Sequence, residues 1–149
     1  MRPAEAYTTR EARLPDDLPA ICDIRRMVFI EEQQIPANLE WDGLDADCRH
    51  VLAFSQSGEA VGTGRLLTNG RIGRMAVLPD WRGRGVGTAI LDALLQLARR
   101  EDHPRVSLHA QRAVARFYRN AGFRETGEVF MEAGIEHVPM EKNLSFIDN

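Results

Sequence analysis

The stretch Met75-Ala-Val-Leu-Pro-Asp-Trp-Arg-Gly-Arg-Gly-Val-Gly-Thr88 admits few folds. It reads as a strand ended by Pro79, a glycine-rich turn, and a helix that begins near Gly85. Glycines at 83, 85 and 87 let the backbone turn tightly and expose its N–H groups with no Cβ in the way. At a helix N-terminus, unpaired donors and the helix dipole favour an anion, and Arg82 and Arg84 add full positive charge. A diphosphate suits such a turn. Two phosphate motifs fail here. A Walker loop needs a lysine before Ser or Thr, and the only lysine of the chain is Lys142. The dinucleotide fingerprint needs its third glycine one residue later, after a strand of a βαβ unit, whereas the strands before this turn read as hairpins.

Those strands are His50 to Ser55, Ala60 to Leu67 and Arg71 to Leu78, an antiparallel meander. Ser57-Gly58-Glu59 separates the first two. Asn69-Gly70 separates the last two and predicts a two-residue type I′ hairpin. Ahead of the meander, Tyr7 to Arg13 reads as a strand, and a helix capped by Asp16 or Asp17 runs to about Glu32. Beyond the turn, the helix from Gly85 to Arg100 places Val86, Ile90 and Leu94 on one face. Val106 to His109 is a short strand and Arg112 to Ala121 a short helix, with Gly122 as its C′ residue. Phe123 to Phe130 and Ile135 to Lys142 read as two closing strands. The order predicts an α+β (mixed α/β) fold: a mostly antiparallel twisted sheet of about six to seven strands, flanked by about four helices.

Composition narrows the function. The 149 residues suit one domain spanning 1–149. No apolar run approaches the roughly 20 residues that span a bilayer, and Met1 to Ala20 lacks the apolar core of a signal peptide, so a cytoplasmic protein without a membrane partner is expected. Cys22 and Cys48 have no ligand spacing to each other or to a histidine, which argues against a metal site or a disulfide scaffold. Net charge is −3, so bulk binding to nucleic acid is not expected. That near-neutral total hides a segregation. Residues 31–47 carry six acids and no base, while residues 65–87 carry five arginines and one aspartate.

A third phosphate pattern, Gln/Arg-x-x-Gly-x-Gly/Ala, is matched by Arg82, Gly85 and Gly87. With it goes Arg116-Phe-Tyr-Arg-Asn-Ala-Gly-Phe123, where a tyrosine precedes Gly-Phe by four residues. On these motifs and the order of elements, the chain resembles the GCN5-related N-acetyltransferase (GNAT) family from Tyr7 to Lys142. Val28-Phe-Ile-Glu-Glu-Gln33, Trp41-Asp-Gly-Leu-Asp45 and Glu132-Ala-Gly-Ile-Glu-His-Val-Pro-Met140 are similar to a small bacterial subgroup of the ElaA and YjcF types.

The resemblance implies an acetyl-CoA-dependent N-acetyltransferase, with acetyl-CoA as cosubstrate and no metal. Acetyl-CoA would be held by Met75, Ala76, Val77, Arg82, Gly83, Arg84, Gly85, Val86, Gly87, Thr88, Gln111, Phe117 and Tyr118. Many members have Asn where Gln111 stands. The backbone N–H of Val77 would serve as oxyanion donor and Tyr118 as general acid toward the CoA thiolate. Periodicity gives Tyr118 a second reading, because Val114, Phe117, Tyr118 and Ala121 share one helical face. The acidic segment reads either as a solvated loop or as a port that steers a cationic amine, with Glu32, Trp41, Asp42 and His137 as acceptor contacts. Glu32, His50, His109 and His137 are all candidates for a base, and none stands out. The acceptor would be a small-molecule amine, and a homodimer stays open. A non-catalytic acyl-CoA-binding module is the alternative from another class.

Overall fold

The computed structural model describes residues 6–145; Met1 to Glu5, the first part of the polar N-terminal stretch, lie outside it. Among the described residues, eight strands form two four-stranded sheets. In the first, β1 (Tyr7–Glu11), β2 (Arg49–Ser55), β3 (Ala60–Leu66) and β4 (Ile72–Val77) lie side by side and antiparallel. In the second, β8 (Ile135–Asn143) pairs antiparallel with β5 (Arg105–Gln111), β6 (Arg124–Glu125) and β7 (Phe130–Glu132). The sheets touch through one parallel bridge, Arg71 to Ser107, beside the bond from the Ser107 N–H to the Gly70 carbonyl at 3.1 Å.

Both faces of the first sheet are covered, which explains why β2 reads as an almost unbroken apolar run. Val51 and Ala53 pack with α3 (Val86–Arg100), and Leu52 packs on the other side with Ile21, Ile24, Val28 and Phe29. Helix α3 lies close to β3 because Gly62 and Gly64 stand beneath it. A Cβ at either position would come within 2.8 Å of an Ile90 or Leu94 methyl.

The helix expected to run to Glu32 changes its winding halfway. It is α-helical over Leu18–Arg25 (α1) and a π-helix over Arg26–Glu32, so Gln33 donates to the Val28 carbonyl five residues back. Asp17 occupies the N-cap without capping the helix. Its carboxylate turns back to the Arg13 N–H and the Arg10 guanidinium.

Other expectations shift as well. The acidic segment holds a short helix, α2 (Ala37–Glu40), and a 3-10 turn over Asp45–Asp47. At the β3–β4 hairpin, Gly70 has a φ of 88° while Asn69 does not enter the positive-φ region. The loop is therefore a type I turn with a glycine bulge, closed by Leu67 N–H to Arg71 O at 2.8 Å. The helix expected over 112–121 opens with a 3-10 turn and is α-helical over Ala115–Asn120 (α4). The strand expected over 123–130 survives only as β6 and the start of β7.

Candidate active site

Strand β4 has a fault where it passes Gly64 of β3. Its register slips between the pairs Thr63–Ala76 and Arg65–Gly73, and Arg74 takes a φ of 49°. Such a bulge bends a strand and re-aims the residues beyond it. Past it, β4 and β5 form no further bridge among the described residues, and a cavity of about 870 Å³ opens between them.

Past the bulge, β4 has a free edge. Gly62 lies opposite Val77, and the neighbouring Leu78 N–H donates to Val61 O at 2.9 Å. By the alternation of an antiparallel ladder, Val77 therefore aims its own N–H and carbonyl away from β3, into the cleft. The carbonyl accepts a bond from Arg82 Nε at 2.9 Å.

Next comes the turn. Gly85 is the N-cap of α3, with a φ of 85°, a conformation that costs a residue with a Cβ about 1–2 kcal/mol. The first helical bond runs from Ala89 N–H to Gly85 O, and no side chain caps the helix. The amides of Val86, Gly87 and Thr88 thus precede the ladder as free donors. An anionic phosphate pair fits this cradle. Arg84 stacks over the Trp81 ring at 4.9 Å, and Arg82 forms a bidentate pair with Glu32.

Tyr118 enters the cleft from α4, its hydroxyl 3.6 Å from the Met75 sulfur. Phe117 and Phe123 meet its ring edge-on. Burial pushes its phenol up to about 12. Gln111, at the end of β5, donates to Gln33 Oε1 at 2.9 Å and so ties the π-helix to the second sheet.

Met75, Ala76, Val77, Arg82, Gly83, Gly85, Val86, Gly87, Thr88, Gln111, Phe117 and Tyr118 all line this cavity, as do Asp42 and His137. Arg84, Glu32 and Trp41 stand outside its lining. Trp41 lies under the guanidinium of Arg25 at 5.1 Å. His137 is buried, its Nδ1 2.7 Å from the Ile135 carbonyl.

The acidic segment, expected either as a solvated loop or as a port for a cationic amine, pairs Glu40, Asp42 and Asp45 with arginines. Fully buried Arg25 binds Glu40 at 2.7 Å and Asp45 at 2.6 Å. Arg65 binds Asp42 and Asp45. Arg74 reaches Glu40 and Asp42, each at 3.2 Å, and the Glu40 carbonyl at 3.0 Å. The hydrogen bond from Arg65 holds the Asp42 carboxyl far below the usual carboxylate range. Burial opposes ionisation of Asp45, but the bonds and charges of Arg25 and Arg65 together prevail and lower it; for Glu40, burial wins and raises it. The two oppositely charged stretches of sequence are thus ion-paired to each other across one side of the cleft. Residue spacing gave no sign of this pairing, because the partners lie 15 to 34 positions apart.

Known proteins share this sequence and fold. A family model described as an acetyltransferase (GNAT) domain matches residues 27–144. The uncharacterized N-acetyltransferase YjcF of Bacillus subtilis is 34% identical over 124 residues, 80% of this chain and 88% of that protein. Protein ElaA of Escherichia coli is 32% identical over 136 residues, covering 85% of this chain and 88% of its own length. The crystal structure of Escherichia coli ElaA covers 93% of this chain and 100% of its own, with a TM-score of 0.81 and 27% identity. An aminoglycoside 6'-N-acetyltransferase complexed with coenzyme A shares the fold at 14% identity, with a TM-score of 0.77 over 95% of this chain and 99% of its own. The chain is an acetyltransferase and belongs to the GNAT family.

Proposed function

We propose that this protein moves the acetyl group of acetyl-CoA to a primary amine by direct attack, with both substrates bound in the one cleft. The observation that carries the reading is the free edge of β4 at Val77. It lies in the same cavity as the unpaired amides of α3 and the Tyr118 hydroxyl. The coenzyme A bound to the aminoglycoside acetyltransferase of the same fold supports an acyl-CoA cosubstrate.

When bound, acetyl-CoA supplies the activated thioester. The amides of Val86, Gly87 and Thr88 hold the diphosphate, with Arg82 and Arg84 beside them. Met75 and Val77 hold the pantetheine arm through backbone groups, much as an added strand pairs with a sheet edge. The Val77 N–H stabilises negative charge on the carbonyl oxygen. Tyr118 keeps its proton throughout the physiological range and donates it from the hydroxyl to the departing sulfur. The acceptor enters along Asp42 and His137.

A panel of polyamines, amino sugars, amino acids and peptides, read by release of free thiol, tests the reading. Thiol release that depends on one class of amine supports it. Tight binding of acetyl-CoA with no release on any amine leaves an acyl-CoA-binding module in its place.

A further inference from the structure

Two residues beyond the Arg71–Ser107 bridge stand Gly73 on β4 and His109 on β5. Both line the cavity, and the proposed reaction uses neither. Gly73 has no reason to be glycine within the protein. Its φ is not in the left-handed region, and a Cβ there would meet nothing within 4 Å. What it leaves is open space.

His109 lines the same cavity. Its Nδ1 is 2.9 Å from Glu132 Oε1 and 2.7 Å from Arg71 Nη2. Phe130 meets the ring edge-on at 4.9 Å. A ring nitrogen of a neutral imidazole has either a proton or a lone pair to offer, so only one of the two contacts is a hydrogen bond at a time. The carboxylate contact needs the proton on Nδ1, which in the neutral ring leaves Nε2 with its lone pair, and it gains strength once the ring takes up charge. The other charged and titratable groups around the ring are Arg71, from the hairpin before β4, and His137 of β8, behind Phe130 at 5.9 Å.

We propose that His109 is the base that takes the proton of the acceptor amine, in a subsite floored by Gly73, with Glu132 as the positioning residue that holds the Nδ1–H tautomer. The inference rests on the acetyl-transfer reading above. The amine nitrogen forms the C–N bond to the acetyl carbonyl carbon, and the bond from that carbon to sulfur breaks. The proton lost by nitrogen goes to His109 Nε2, and the sulfur receives its proton from the Tyr118 hydroxyl. Arg71 is the competitor for Nδ1, and its removal does not harm the base.

Nitrogen-15 spectra of the free protein read the tautomer without any turnover. Wild type is expected to show Nδ1–H at His109, and Glu132→Gln to lose that preference; a wild-type ring protonated at Nε2 overturns the proposal. In the amine assay, His109→Gln is expected to lower kcat about 100-fold with acetyl-CoA binding unchanged by calorimetry. Glu132→Gln should lower kcat less, and Arg71→Met should leave it near wild type. Gly73→Leu should raise KM for the amine alone. Retained wild-type turnover in His109→Gln, or a loss in Arg71→Met with none in Glu132→Gln, overturns the assignment of the base. An unchanged amine KM in Gly73→Leu removes the floor. A wild type that acetylates no amine overturns the acetyl-transfer reading, and this inference with it, whatever the tautomer.

Discussion

Glu32 and Arg82 meet in a bidentate ion pair, with each terminal guanidinium nitrogen 2.7 Å from a carboxylate oxygen. The pair joins the last residue of the π-helix to the first residue of the phosphate motif. Both side chains are about 40% exposed, so the pair contributes no more than about 1 kcal/mol to stability.

Its effect should instead appear in binding. Glu32→Gln is expected to release Arg82 for phosphate and to tighten CoA binding by roughly two- to fivefold, the equivalent of one exposed ion pair. Calorimetry with CoA and with desulfo-CoA measures it. Weaker binding in the variant would mean that Glu32 aims Arg82 and does not compete for it.

Tyr118→Phe removes a proton donor and leaves the ring packing with Phe117 and Phe123. Its kcat is expected to fall about 100-fold or more, with CoA affinity unchanged. Because burial raises the phenol from its usual 10 to about 12, the folded chain favours the protonated form. This contribution to stability is fully present below pH 10 and lost as pH climbs through about 12. Alkaline unfolding curves should show the wild type weakening over that range, and Tyr118→Phe weakening less.

The buried ion pairs predict the opposite end of the pH scale. Asp42 and Asp45 are held below the usual carboxylate range by Arg65 and Arg25. Their contribution is present at neutral pH, persists as pH drops to about 4, and is lost as pH falls through their folded values. Glu40 acts in the reverse sense, because burial raises it. Arg25→Met leaves buried Glu40 with Arg74 as its one remaining arginine partner and is expected to cost about 3 kcal/mol, read by chemical denaturation. Asp42→Asn should flatten the acid limb of the stability profile.

Two glycines on adjacent strands should respond differently to the same substitution. At Gly64 a new Cβ meets Leu94 and Ile90 methyls at 2.8 and 2.9 Å. Gly64→Ala is therefore expected to destabilise by about 1–3 kcal/mol through overpacking and to weaken CoA binding by displacing the start of α3. Gly73→Ala faces open space and should leave the melting temperature unchanged. A melting comparison of the two variants decides between packing and an open cleft as the reason for each glycine.

The local features were legible in the sequence. Pro79, Gly85 and the apolar stripe of α3 mark the strand, the turn and the helix, because each is set by its own backbone and neighbours. The two-residue turn at Asn69-Gly70 was misread, since glycine there serves a type I turn with a bulge as readily as a type I′ turn. The bulge at Arg74 was hidden for a different reason. It is a slip in pairing with the partner strand between Thr63 and Arg65, and arginine carries no mark of a positive φ. The His109–Glu132 contact joins residues 23 positions apart, and Glu132 was visible only as one letter of a subgroup motif. The charge segregation was plain, but the tertiary fold alone decides which acids meet arginines, and it pairs Glu32, Glu40, Asp42 and Asp45 with them.

Arg74 joins two things that need not go together. Its backbone opens the gap between the sheets, and its guanidinium clasps the segment that walls that gap, at Glu40 and Asp42. Aperture and wall therefore hang on one hinge pin. A change at this position cannot widen the entrance and leave the lining in place, so substrate range in this chain is easier to retune at Gly73 or along the rim than at the bulge itself.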